Sequence, residues 1–136
     1  MARVESVPNR LRTAVFTFNI FADPPNYGFS VGGNTYVVGS IPAGAIVTDQ
    51  IVDVTTALAQ DGGGTAPQVT LSYSSGQTIL SQRAFTAAPY DASGPVQVAI
   101  TPFKTASPVD ITWNVNTNVL GAGTVTIYVQ YLEGGT

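Results

Sequence analysis

Across residues 124–132 the chain alternates without a break. Val125, Ile127, Val129 and Tyr131 fall on one side, and Thr126, Tyr128 and Gln130 on the other. A period of two puts one set against a core and the other away from it, which is the pattern of a strand covered on one face. Val69, Leu71 and Tyr73 repeat it, as do Val96, Val98 and Ile100, and Val109, Ile111, Trp113 and Val115. No segment shows a helical period of comparable length.

Weaker strand patterns cover residues 13–21, 35–38 and 78–85, and a long one covers 45–57. In the long segment neither alternating set is wholly apolar. A β-bulge near Asp49, which shifts the phase by one residue, reconciles the two halves. The intervening Asp23-Pro24-Pro25-Asn26, Gly32-Gly33-Asn34, Asp61-Gly62-Gly63-Gly64 and Asp91-Ala92-Ser93-Gly94-Pro95 read as turns or loops. About eight strands spaced in this way predict an all-β fold. The expected form is an antiparallel β-sandwich, a jelly roll of about eight strands.

At 136 residues with no cysteine, one domain must fold by apolar burial alone. Only 10% of residues are charged against 44% hydrophobic, well below the roughly 25% charge of ordinary domains. Thr, Ser, Asn, Gln and Gly therefore cover the surface, which suits a protein that ends pressed against other protein, a trait that extracellular β domains share.

Charge is uneven along the chain. Arg3, Arg10 and Arg12 against Glu5 give residues 1–12 a side-chain charge of +2, whereas Arg83 and Lys104 against seven carboxylates leave −5 on the rest. Residues 1–12 read as an extended N-terminal arm, or as an ordinary frayed terminus, ahead of a single sandwich domain at 13–136. The net charge of −3 argues against general nucleic-acid affinity. No signal-peptide pattern and no apolar run of membrane-spanning length occurs, so a cytoplasmic origin is expected.

The chemistry of catalysis is thin. Histidine is absent, which removes the usual Ser-His and Cys-His arrangements and the commonest metal ligand. The sole lysine, Lys104, has no serine motif around it. Asp49 and Asp53 are the one close carboxylate pair on a strand, yet about 13 Å would separate them at ~3.3 Å per residue, too far for glycoside hydrolysis. Asp61 and Asp91 sit in turns without a calcium-loop spacing, and Gly62-Gly63-Gly64 lacks the Lys and Ser/Thr of a phosphate loop. No enzyme activity, cofactor or metal is expected. Among the aromatics that could stack on a sugar (Tyr27, Tyr36, Tyr73, Tyr90 and Trp113), Trp113 lies on the apolar side of its strand. Tyr90, beside Pro89, is the expected exposed contact.

Two stretches carry a resemblance. Ile41-Pro42-Ala43-Gly44-Ala45-Ile46-Val47-Thr48-Asp49, running on through Val52-Asp53-Val54-Thr55-Thr56-Ala57-Leu58, resembles a segment of small virion proteins of tailed bacteriophages. There, a Pro-Ala-Gly turn leads into a strand that ends in an aromatic where this chain has Leu58. The closing Ala122-Gly123-Thr124-Val125-Thr126-Ile127-Tyr128-Val129-Gln130-Tyr131-Leu132 resembles their last strand.

The resemblance, to capsid decoration (cement) proteins, implies a jelly roll on the outside of a virion. It implies a homotrimer that clamps neighbouring copies of the major capsid protein, with no catalytic or ligand residues. Arg3, Arg10 and Arg12 would dock the arm on the shell. The rival expectation is an adhesion module of a tail or head fibre that binds host polysaccharide through exposed rings.

Overall fold

The computed structural model describes residues 11–19, 35–61, 68–84, 89–92, 94–116 and 119–133. Every regular element among them is a strand: β1 (Leu11–Asn19), β2 (Thr35–Ile41), β3 (Ala45–Asp61), β4 (Gln68–Tyr73), β5 (Thr78–Ala84), β6 (Val96–Gln97), β7 (Phe103–Lys104), β8 (Val109–Asn116) and β9 (Val119–Glu133). All pairings are antiparallel and nested: β1 with β9, β2 with β8, β3 with β6 and β7, and β4 with β5.

Pairing of β3 with β9 and of β4 with β8 gathers them into two sheets. One runs β1-β9-β3-β6, with β7 also on β3, and the other runs β2-β8-β4-β5. First strand with last, second with next-to-last, and so inward, is a long hairpin rolled on itself. Counting β6 and β7 as one interrupted strand gives the eight-stranded jelly roll expected from the alternation.

The apolar sides of the patterned strands meet between the sheets. Val125, Ile127 and Val129 of β9 are buried with Val69, Leu71 and Tyr73 of β4 and with Ile111, Trp113 and Val115 of β8. Trp113 is a core residue, edge-on to Phe18 of β1 with ring centroids 4.9 Å apart and planes at 76°. That tilted geometry is the one ring quadrupoles favour.

The bulge lies where the sequence placed it. Val47 pairs with Tyr131 and Asp49 with Gln130, so Thr48 is the extra residue. Buried positions accordingly change from Ala45 and Val47 before it to Gln50, Val52 and Val54 after it. The Asp49 carboxylate fixes the kink by accepting the Gln50 N–H at 2.8 Å and the Gln97 side-chain amide at 3.0 and 3.1 Å.

The same kink breaks a strand expected to be continuous. The alternation of Val96, Val98 and Ile100 predicts one element, but the ladder to β3 holds only at Val96 and Gln97. Beyond it, Val98 N–H donates to the Gln50 carbonyl at 3.0 Å and the Gln50 side chain donates to the Ala99 carbonyl at 3.3 Å. Pairing resumes as β7, where Phe103 meets Val47 and Lys104 meets Ile46.

Between β2 and β3, the Pro42-Ala43-Gly44 turn uses a positive φ of 78° at Gly44, a conformation that glycine adopts without strain. The buried Thr105 hydroxyl closes it, accepting from Ala45 N–H at 2.9 Å and donating to the Pro42 carbonyl at 2.7 Å. Backbone bonds from Gly44 N–H to the Thr105 carbonyl and from Thr105 N–H to the Ala45 carbonyl flank the hydroxyl.

Candidate contact face

The outer surface of the five-stranded sheet is built row by row from the strand register. Leu11 of β1 pairs with Leu132 of β9, which pairs with Ile46 of β3. Two residues along, Thr13 pairs with Gln130 and Gln130 with Asp49. Next come Val15, Tyr128 and Ile51, and then Thr17, Thr126 and Asp53. Apolar rows thus alternate with hydroxyl, amide and carboxylate rows on the side of the sheet that turns away from the core.

The polar rows are paired in part within the face. Thr17 and Thr126 share a hydroxyl hydrogen bond of 2.9 Å, Asn19 donates to Thr124 at 3.2 Å, and Asp49 is held by Gln97. The apolar rows stay open to solvent, most of all at β1, where Leu11 is 60% and Val15 53% exposed. Tyr128, Leu132, Ile46 and Ile51 beside them are half-buried. Cross-strand neighbours of this kind lie about 5 Å apart, so each row forms a continuous apolar ridge with no charge in it.

The outer surface of the other sheet has different chemistry. Thr35, Asn114 and Thr70 form one row, and Val37, Thr112, Ser72 and Thr78 the next. Ser72 and Thr112 hydroxyls hydrogen-bond at 3.0 Å, and Asn114 reaches Thr35 at 3.4 Å. Apart from Val37, these two rows are hydroxyls and amides. The face with apolar rows is therefore the stronger candidate for burial against another protein, since water solvates hydroxyls and amides well and alkyl rows poorly.

The sequence-predicted residues fall in separate places. Arg12 is the second residue of β1 rather than part of a free arm, and its Nε lies 3.1 Å from Glu133 Oε2. That pair joins the ends of β1 and β9 at the margin of the face; half-exposed, it is worth only about 0–1 kcal/mol. Arg3 and Arg10 lie outside the described residues. The expectation of an exposed ring at Tyr90 is corrected: it is 9% exposed and packs with the core. It lines a cavity of about 520 Å³ with Ile79 and Leu80 of β5 and with Gln97, Val98 and Ala99. A loop position read from Pro89 alone does not show that cover.

Tyr73 is also buried. Its hydroxyl donates to Gln50 Oε1 at 2.8 Å, and burial pushes the phenol pKa well above the ordinary tyrosine range. Its ring meets Phe103 edge-on at 5.0 Å. No group of three or more acidic side chains that could hold a metal ion occurs among the described residues.

No protein-family model matches the chain, and no curated protein matches it. Solved structures do. The chain is similar to a chain in the capsid asymmetric unit of cyanophage Pam1, at 18% identity and TM-score 0.64, over 97% of this chain and 91% of that one. It is similar to a chain in the capsid of Ralstonia phage GP4, at 18% identity and TM-score 0.57, over 100% and 92%. A third similar chain is in the acidic stable capsid structure of Helicobacter pylori bacteriophage KHP30, at 12% identity and TM-score 0.59, over 93% of this chain and 90% of that one. At these identities the likeness is one of fold.

Proposed function

We propose that this chain is a bacteriophage capsid decoration, or cement, protein. In this reading it is a non-catalytic homotrimer on the capsid exterior that binds the major capsid protein and clamps neighbouring subunits. The observation that carries it is the outer face of β1, β9 and β3, where two uncharged apolar rows lie open between polar rows. A face of this kind gains by covering a junction between shell subunits.

The fold likeness supports a virion role in one further respect. The three similar chains are covered over 90–92% of their own length. Each is thus a small separate chain rather than one region of a large subunit. A ligand that binds only the assembled shell stabilises it by mass action, and many copies multiply a modest contact. The arm with Arg3 and Arg10, continued by Arg12 at the start of β1, supplies the positive charge for acidic or carbonyl groups of the shell. The ring best placed for the rival adhesion reading, Tyr90, is buried.

The test is binding to capsids stripped of this chain. Ile51→Glu and Tyr128→Lys place charges in an apolar row at half-exposed positions, so the fold is kept and capsid binding should fall at least tenfold. Deleting residues 1–10 leaves β1 whole and should also weaken binding. Undiminished binding by all three variants, or specific retention on a glycan array, would overturn the proposal.

A further inference from the structure

At one end of the five-stranded sheet β1, β9, β3 and β7 come level with one another. Leu11 pairs with Leu132, Glu133 with Ala45, and Lys104 with Ile46. The Pro42-Ala43-Gly44 turn closes the same end, tied down by the bond from Gly44 N–H to the Thr105 carbonyl at 2.7 Å.

A cavity of about 550 Å³ opens here, lined by Ala43, Gly44, Lys104, Thr105 and Ala106. It falls within the roughly 300–1,000 Å³ of cavities that bury a ligand. The turn already uses the Thr105 hydroxyl. What remains is a lining of alanines with one charge, the exposed Lys104, which makes no ion pair among the described residues.

Residues 1–10 lie outside the described residues, but their point of attachment is fixed, because they join β1 at Leu11 and so start from this end. β7 is three strand spacings from β1, about 14 Å at ~4.8 Å each. Ten extended residues reach about 33 Å, so the segment can cross to the cavity with slack for a bend at Pro8 and Asn9.

The charges run in matching order. Going from β1 across the sheet end, Glu133 comes first and Lys104 second. Going back from Leu11 along the segment, Arg10 comes first and Glu5, its only carboxylate, second. Val4, next to Glu5, is an apolar group of the kind an alanine-lined cavity buries.

We infer that residues 1–10 are a strap across the sheet end of their own chain, with Glu5 on Lys104 and Val4 in the cavity beside it. Arg10 then comes next to Glu133, which Arg12 already meets at 3.1 Å. The strap goes beyond the capsid contact and does not depend on it. It passes round the end of the sheet and leaves the apolar rows of β1, β9 and β3 open.

The chain has no cysteine, so an introduced pair reports the seat directly. Val4→Cys with Ala106→Cys should close into a disulfide within one chain in dilute protein under oxidised glutathione, since the bond needs Cα atoms within about 7 Å. The control is Val4→Cys with Thr35→Cys, at the exposed far end of β2, which should close at least tenfold more slowly. An exposed ion pair shifts an equilibrium by up to about fivefold. Adding Lys104→Glu to the first pair should therefore slow closure severalfold, and adding Glu5→Lys as well should restore it. All variants are checked for an unchanged melting profile. Equal rates for the two pairs, a disulfide formed mainly between chains, or no response to the charge changes would each overturn the inference. Capsid binding is not read in this assay, so such a result leaves the virion proposal to its own test.

Discussion

The Tyr73 hydroxyl donates to Gln50 Oε1 across the core at 2.8 Å, joining β4 of one sheet to β3 of the other. Both residues are buried, and the Gln50 amide is used in turn by the Ala99 carbonyl. Removing the hydroxyl strands an acceptor away from water, which costs about 1–3 kcal/mol. Tyr73→Phe should therefore lower stability by that amount in urea denaturation. Gln50→Met added to it should cost less than the sum of the single changes, because the pair is coupled.

The same burial makes a pH prediction. Desolvation raises the Tyr73 pKa above its ordinary value, so the folded protein keeps a proton that the unfolded chain releases from about pH 10. The stability Tyr73 contributes is then fully present below about pH 10 and declines as pH rises beyond it. Denaturation of the unaltered chain and of Tyr73→Phe at successive alkaline pH values should show their stability difference narrowing. Tyrosinate absorbance from Tyr73 should appear only with unfolding.

Thr105 is the hinge pin of the Pro42-Ala43-Gly44 turn. Thr105→Val keeps the shape and removes the hydroxyl between Ala45 N–H and the Pro42 carbonyl, leaving both without that partner for a cost of about 1–3 kcal/mol. Thr105→Ser retains the hydroxyl and should lose less than half as much. Thermal melting of the two variants makes the comparison.

The bulge at Thr48 gives an unusual deletion pair. Without Thr48, β3 becomes regular, and Val47, Gln50 and Val52 still point inward. That variant should fold with a loss of roughly 1–3 kcal/mol. Without Ile51, either Val52 and Val54 turn outward or Asp49 takes the place of Gln50 in the core, so the variant should not fold cooperatively. Circular dichroism with thermal melting distinguishes them.

What could be read from the chain was what local order carries. Val125, Ile127 and Val129 announced β9, and the change of phase between Val47 and Val52 announced the bulge, because a strand's parity is written in consecutive residues. The break between β6 and β7 was hidden, since Val98 and Ile100 alternate properly. What stops their pairing is the kink in β3, roughly fifty residues away in the chain. Nothing local marks Thr105 and Gln50 as buried for the same reason: their partners are Pro42 and Tyr73. Tyr90 misled because Pro89 signals a loop, while the cover over its ring comes from β5 and residues 97–99.

The apolar rows of the contact face were half legible. Tyr128 and Leu132 fall on the side of β9 opposite the core set, which the alternation shows. That Val15 and Ile51 stand beside Tyr128, and Leu11 and Ile46 beside Leu132, follows only from the registers of β1 and β3 against β9.

The most direct measurement is a cryo-EM map of the source particle. The account predicts jelly-roll density on the capsid exterior at junctions between major capsid subunits, with the β1-β9-β3 face toward the shell. Density for this chain only in the tail or a fibre, or contact with the shell through the hydroxyl-rich face of β2, β8 and β4, would contradict it.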